Sequence, residues 1–261
     1  MILFDSHCHL DDKCYDPDRA DVIARAENEN VRGIMIVGVD IDTSKRAIEI
    51  AGKYKNIITS VGIHPHDADQ SSPESLNTLK RLVKKNSCIK AWGEIGLDFN
   101  RMFSPARTQE DCFAAQLETA GTLDLPLIFH ERDSKGRFYD ILKSQGPKSR
   151  KGVIHCFSGT REELFKYLDL GYYIGITGIL TLKKRGAYLR QIAPLIPENR
   201  ILIETDAPYL TPAPQKNKTR RNEPCFVKSV LQKLAGIRGT DPEQLSSAIF
   251  HNTRTLYNID F

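Results

Sequence analysis

Short apolar runs alternate along the chain with segments of helical periodicity. The runs are rich in β-branched residues and cover 2–7, 33–39, 57–63, 89–95, 125–130, 152–157, 172–177 and 200–205. Between them, apolar residues recur at helical spacing, which predicts helices over 18–28, 75–84, 106–123, 138–143, 162–170 and 188–192. Strands that are apolar throughout are typical of a parallel sheet covered on both faces. Eight such strand–helix repeats predict an α/β fold of the (β/α)8 TIM-barrel class rather than a doubly wound sheet.

The last part of the chain departs from this alternation. A proline-rich loop over 207–222 follows the eighth strand, and two C-terminal helices are predicted near 224–236 and 242–257. No GxGxxG motif follows the first strand, which argues against a dinucleotide-binding domain. Because no linker or low-complexity segment interrupts the pattern, we expect one domain over 1–261.

The composition is that of an ordinary globular protein, with 40% hydrophobic and 27% charged residues. No apolar run reaches the length of a membrane span, and the N-terminus has no secretory signal pattern. Six cysteines without CxxC spacing are expected to be free thiols. We therefore expect a cytoplasmic protein with no membrane partner, and a monomer as the default state.

Polar side chains capable of chemistry collect where the predicted strands end. Six of the seven histidines lie there, and His251 in the final helix is the exception. In an extended chain alternate residues share a face, so Asp5, His7 and His9 should point the same way. The C-terminal strand ends of a barrel meet at one mouth, where active sites lie. The residues that meet this description are His7, His9, His64, His66, Glu94, Asp98, His130, His155, Glu204 and Asp206.

Each of these residues alone has a simpler interpretation. His130 or His155 could be a hydrogen-bonded core histidine, and Glu94 or Asp206 could cap the following helix. Together, four histidines and two carboxylates at one mouth would be costly to bury without partners, and a metal centre supplies them. Six ligands are too many for one tetrahedral zinc, and they suit two ions that share Glu94.

The ligand chemistry predicts a hydrolase. Imidazole and carboxylate donors without thiolate leave Mg²⁺, Mn²⁺ and Zn²⁺ all open. Two such ions activate a bound water and neutralise charge on a phosphoryl or carbonyl oxygen.

Basic residues are concentrated in the loops after the predicted strands. The net charge is only +4, but the loops after strands 7 and 8 carry the clusters 183–185 and 216–221, and Arg101 and Arg132 follow strands 4 and 5. Basic groups around a two-metal site suit a phosphodiester backbone. A smaller group, Lys148, Arg150 and Lys151, is expected at the opposite end. Three aromatic residues near the mouth are interpreted as packing residues rather than base-stacking ones: Phe99, Phe103 and Tyr209.

The order and spacing of seven motifs resemble the TatD family of metal-dependent deoxyribonucleases, within the amidohydrolase-like barrels. The motifs are DSHCHLD, GIHPH, GEIGLDF, HERDS, HCFSG, ETDAPYL and RRNEP, and the resemblance covers essentially the whole chain. It implies a two-metal hydrolase that acts on DNA, in several members of the family as a 3′→5′ exonuclease preferring single strands, and it leaves open whether RNA is cut as well.

By position, the resemblance also implies roles for individual residues. One ion would be held by His7, His9, Glu94 and Asp206, and the other by Glu94, His130 and His155. Asp206 and Glu94 would be the catalytic carboxylates, with Asp206 receiving a proton from the attacking water. The positions near the substrate phosphate would be His64, Arg132 and Arg221. His66 is interpreted as a loop histidine, and Mg²⁺ is the expected ion for activity.

Two other functions fit the same residues. The same metals could hydrolyse an ester or amide, for example in an aminoacyl-tRNA deacylase, since one fold hosts many chemistries. A barrel that only binds nucleic acid or stores metal is the non-enzymatic alternative.

Overall fold

The computed structural model describes residues 1–146 and 151–260. Across them, eight strands follow one another in chain order within one sheet, the order expected of a (β/α)8 barrel. All eight predicted strands are present, and nearly every strand residue is buried, as predicted for a parallel sheet covered on both faces. The strands are β1 Leu3–Cys8, β2 Val31–Val37, β3 Ile57–Val61, β4 Ile89–Asp98, β5 Leu127–Arg132, β6 Gly152–Ile154, β7 Tyr173–Ile176 and β8 Ile201–Ile203.

Nine α-helices lie within these same residues, and eight of them were predicted. They are α1 Arg19–Asn28, α2 Ile41–Ala51, α3 Pro73–Lys85, α4 Ala106–Ala120, α5 Arg137–Gln145, α6 Arg161–Asp169, α7 Ala187–Ile192, α8 Val227–Arg238 and α9 Pro242–Tyr257. Helix α8 begins three residues later than predicted, because a 3-10 turn over Pro224–Phe226 precedes it.

Helix α2 is the element that sequence periodicity missed. Its buried face includes the small residues Ser44, Ala47 and Ala51, so large apolar residues give only a weak helical repeat. The available signal was local. Asp40 accepts from the backbone N–H of Thr43, and the Thr43 hydroxyl accepts from the backbone N–H of Asp40, which is a capping box.

Contacts between residues group into two compact units. The terminal unit comprises Met1–Ile36 and Ile174–Phe261, and the central unit comprises Val37–Tyr173. In the terminal unit, β1 pairs with β2 and β7 pairs with β8, all parallel. Helix α9 packs on β1 and β8, where Phe4 and Phe250 are in ring contact. The assignment of one domain to 1–261 stays a prediction.

The central unit contains the consecutive parallel pairs β3–β4, β4–β5 and β5–β6. Beside β5 lies a buried aromatic cluster, in which Phe113 stacks on Phe138 at 5.0 Å and Phe129 meets Phe138 edge-on at 5.5 Å. Such ring pairs each contribute about 0.5–1.5 kcal/mol beyond the area they bury. Since side chains alternate along a strand, the cluster that fixes Phe129 directs the next residue, His130, to the other face.

Two further expectations concern thiols and membranes. All six cysteines are free thiols, as predicted. No helix in the described part of the chain has both the length and the apolarity needed to cross a bilayer. Lys148 and Arg150, two of the three basic residues expected away from the mouth, lie outside the described residues.

Candidate metal centre

In the terminal unit, the ends of β1 and β8 bring two histidines to one carboxylate. The Nε2 atoms of His7 and His9 lie 3.8 and 3.4 Å from Oδ1 of Asp206. Asp206 has a left-handed backbone conformation, and its N–H donates to the carbonyl of His7 at 2.9 Å. The N–H of His9 donates to the carbonyl of Ala207 at 2.7 Å. Backbone hydrogen bonds therefore bring these three side chains together.

A buried carboxyl lies behind this group. Asp5 accepts from the hydroxyl and N–H of Thr205 at 2.5 and 2.8 Å. Burial raises the pKa of Asp5 to about 8, although the hydrogen bonds from Thr205 lower it. Sequence reasoning gave Asp5 no partner, because Thr205 carries no signal of its own.

In the central unit, three imidazoles surround the buried carboxylate of Glu94. Its Oε1 lies 2.7 Å from Nδ1 of His130, 3.6 Å from Nε2 of His64 and 4.0 Å from Nε2 of His155. The Nε2 of His64 is also 3.2 Å from Nδ1 of His130. Neighbouring Gly96 pairs with His130 across β4 and β5 at a backbone φ of +145°. A Cβ there would lie 1.9 Å from the His130 carbonyl oxygen, so only glycine allows this approach.

These donors fit a divalent metal ion. One ligand atom from each of His64, Glu94 and His130 lies within 4.8 Å of the others. Imidazole nitrogen and carboxylate oxygen are suitable ligands for Zn²⁺ and Mn²⁺. Burial and neighbouring His130 lower the pKa of His64 to about 4, although the Glu94 carboxylate raises it.

His130 carries a proton that a metal ion would displace. Burial lowers its pKa, but hydrogen bonds with Asp98 and Glu94 outweigh burial and raise the pKa to about 9. The imidazolium thus supplies positive charge between two carboxylates, which is the part that a bound cation plays in such a site.

Asp98, the last residue of β4, holds the outer side of this group. Its Oδ2 lies 3.2 Å from Nε2 of His130 and 2.8 Å from Nε2 of His66, and its Oδ1 accepts from the N–H groups of Asn100 and Arg101. Burial alone would raise the pKa of Asp98, but these hydrogen bonds hold it well below its usual range. The predicted loop histidine His66 lies in a 3-10 turn over Pro65–Gln70 and has Asp98 as its partner. A carboxylate behind a ligand histidine is a common support in metal sites.

The two arginines predicted near substrate differ in their surroundings. Arg132 ends β5 and, among the residues that the structure describes, its half-buried guanidinium makes no hydrogen bond or ion pair. Arg221 is already engaged. Its guanidinium donates to both carboxylate oxygens of Asp18 at 2.8 and 2.7 Å and lies 4.9 Å from the ring centre of Tyr15.

Within the terminal unit, the two basic loops are joined. The N–H of Ala213 donates to the hydroxyl of Thr181 at 2.8 Å. Thr181 stands two residues before the cluster 183–185, and Ala213 stands three residues before the cluster 216–221. The hydrogen bond therefore brings both clusters to the same end of this unit, as predicted.

Comparison with known proteins identifies the family. The family model described as TatD related DNase matches residues 4–258. A relative from Pantoea ananatis (strain LMG 20103), named 3'-5' ssDNA/RNA exonuclease TatD, is 42% identical over 260 residues, which is 98% of this chain and 100% of the relative.

Solved structures agree with this. The TatD homologue YJJV from Escherichia coli k12 superposes with a TM-score of 0.90 at 28% identity, over 99% of this chain and 98% of that one. An uncharacterized Tim-barrel protein from Bordetella bronchiseptica, with a TM-score of 0.65 at 10% identity over 98% of each chain, shares the fold alone. The predicted (β/α)8 TIM-barrel class is thus confirmed. The chain belongs to the TatD related DNase family.

Proposed function

We propose that this protein is a metal-dependent nuclease that removes nucleotides from the 3′ end of single-stranded DNA, and of RNA. The observation that carries the proposal is the Glu94 carboxylate with three imidazoles around it, in a chain that matches the family over residues 4–258. The relative from Pantoea ananatis, which aligns over its full length, is named as a 3'-5' exonuclease on single-stranded DNA and RNA.

The proposed ligands come from both units. His7, His9, Glu94 and Asp206 are assigned to one divalent ion, and Glu94, His130 and His155 to the other. The support is that five of the six stand within three residues of the C-terminal end of a strand, whereas Glu94, which was expected at the end of strand 4, lies four residues before the end of β4. In barrels of this fold those ends gather at the catalytic face. When bound, such ions supply an activated water and neutralise charge on the phosphate.

The chain's own residues then have separate tasks. Asp206, whose side chain is 15% exposed, is assigned to take the proton of the attacking water, and the Nε2 atoms of His7 and His9 lie 3.8 and 3.4 Å from its carboxylate. Arg132, whose guanidinium lacks a partner among the described residues, is the strongest candidate for a phosphate contact. His64 is assigned a second contact to the phosphate beside Glu94.

Arg221 plays a weaker part in this proposal. A phosphate at Arg221 must share the guanidinium with Asp18, because both of its terminal nitrogens already donate to that carboxylate. The joined basic loops of the terminal unit, over 183–185 and 216–221, instead provide unspecific attraction for the strand backbone.

The direct test is a time course on 5′-labelled single-stranded DNA with Mg²⁺. We expect a ladder that shortens from the 3′ end, and no cleavage with EDTA or with Asp206→Asn. Labelled single-stranded RNA of the same sequence should give the same ladder. If no strand is cleaved with Mg²⁺, Mn²⁺ or Zn²⁺, the proposed nuclease activity is refuted, and ester or aminoacyl bonds become the substrates to test.

A further inference from the structure

The loop between β4 and α4 presents a phenylalanine to solvent. The side chain of Phe103 is 68% exposed, the largest value for a large hydrophobic residue in the described part of the chain. Its sequence neighbour Met102 is 45% exposed and has a left-handed backbone conformation. The sequence-based interpretation of Phe103 as a packing residue is therefore wrong.

This exposed ring lies beside the candidate metal centre of the central unit. Its centroid is 4.7 Å from that of His66, with the two rings nearly perpendicular. His66 in turn meets the Asp98 carboxylate, which also holds His130. Phe103 is thus linked to the proposed metal ligand His130 through two intervening residues, with most of its ring open to solvent.

The loop that carries the ring is held by buried hydrogen bonds. The side-chain amide of Gln109 donates to the carbonyls of Asp98 and Ser104 at 3.1 and 2.8 Å. The hydroxyl of Ser104 donates to the carbonyl of His66 at 3.0 Å. Because both ends of the loop are fixed, Phe103 is presented in one place, and little ordering of the loop opposes binding of a ligand there.

We propose that Phe103 is a stacking platform for an unpaired nucleobase of the substrate strand, close to the nucleotide being removed. The inference rests on the proposed nuclease function and deepens it. Every base has a flat face, so stacking tolerates any sequence, whereas bases inside a duplex are already stacked on both sides. Phe103 thereby contributes to a preference for single strands that phosphate contacts alone do not give.

The test combines substitutions of Phe103 with strands that lack one base. The value of kcat/KM is measured on 5′-labelled DNA for wild type and for Phe103→Ala, Phe103→Leu and Phe103→Trp. The strands are either complete or abasic at one of the last four positions from the 3′ end. Phe165→Ala, which removes a partly exposed phenylalanine from α6 of the same unit, is the matched control.

Stacking on Phe103 predicts a specific pattern of changes in kcat/KM. We expect Phe103→Ala and Phe103→Leu to lower kcat/KM on the complete strand about 5- to 150-fold, the range for one stacked base. For Phe103→Trp and Phe165→Ala, kcat/KM should stay within about twofold of the wild-type value, since tryptophan also stacks and Phe165 has no proposed part in substrate binding. One abasic position should lower the wild-type value similarly, and on that strand Phe103→Ala should cause no further loss.

Other patterns overturn the proposal. If Phe103→Ala lowers kcat/KM by the same factor on every abasic strand as on the complete strand, Phe103 supports His66 and does not stack on a base. If Phe103→Leu keeps wild-type kcat/KM, Phe103 makes only an apolar contact. Full activity of Phe103→Ala on complete strands would remove the residue from substrate binding while leaving the nuclease intact. A wild type that cuts no strand refutes instead the proposed function on which the inference rests.

Discussion

At the scale of single residues, Asp98 shows how one carboxylate serves several donors at once. One of its oxygens faces the Nε2 atoms of His66 and His130, and the other accepts two backbone N–H groups from the following loop. All four partners approach as donors, so both oxygens must be acceptors. Asp98 would thereby keep a proton on Nε2 of His130 when a metal ion displaces the one on Nδ1.

We therefore expect Asp98→Asn to lower metal affinity about 10- to 100-fold. An asparagine of nearly the same size turns one oxygen into an NH₂ group, which must point at other donors whichever way the amide is oriented. Calorimetric titration of the metal-free protein with Mn²⁺ measures the change. Asp111→Asn, in an exposed ion pair on α4, is the control and should bind as wild type does. If Asp98→Asn binds Mn²⁺ as tightly as wild type does, His130 does not need the Asp98 carboxylate to bind the metal ion.

At the scale of elements, the close approach of β4 and β5 places Oε1 of Glu94 2.7 Å from Nδ1 of His130. Gly96 permits that approach, because a side chain at this point would run into the backbone of His130 and would also face an unfavourable positive φ. Gly236 is the opposite case. It is exposed in the interior of α8, and an added Cβ meets nothing within 4 Å.

Two alanine substitutions separate these cases. Gly96→Ala should destabilise the protein by at least about 2 kcal/mol, a fall in Tm of roughly 4–8 °C. Gly236→Ala should stabilise it by about 0.5–1 kcal/mol, because alanine loses less backbone entropy in a helix. Thermal unfolding followed by circular dichroism measures both. Equal shifts in Tm for the two variants would contradict the packing described for β4 and β5.

Strands and site chemistry were readable from sequence to different extents. Apolar runs located all eight strands, since nearly complete burial leaves a strong signal. The loop after β4 was not readable, because its shape depends on Asp98 and Gln109 binding particular backbone groups. Hence neither the exposure of Phe103 nor the pairing of Arg221 with Asp18 could be predicted.

At the scale of the whole molecule, the residues proposed as metal ligands are spread over both units of the chain. His7, His9 and Asp206 belong to the terminal unit, and Glu94, His130 and His155 belong to the central unit. Order along the sequence therefore says little about which ligands meet. The spacing of eight strand–helix repeats predicts that they meet, because each repeat is expected to bring its polar residues to the same end of the sheet.

The most direct measurement is the number of Mn²⁺ ions bound per chain, by elemental analysis after equilibrium dialysis. Wild type should bind two ions. The double variant His7→Ala, His9→Ala should bind one, because the donors around Glu94 remain, and it should lose cleavage of single-stranded DNA. One ion in wild type, or two in the double variant, would contradict the two-ion centre.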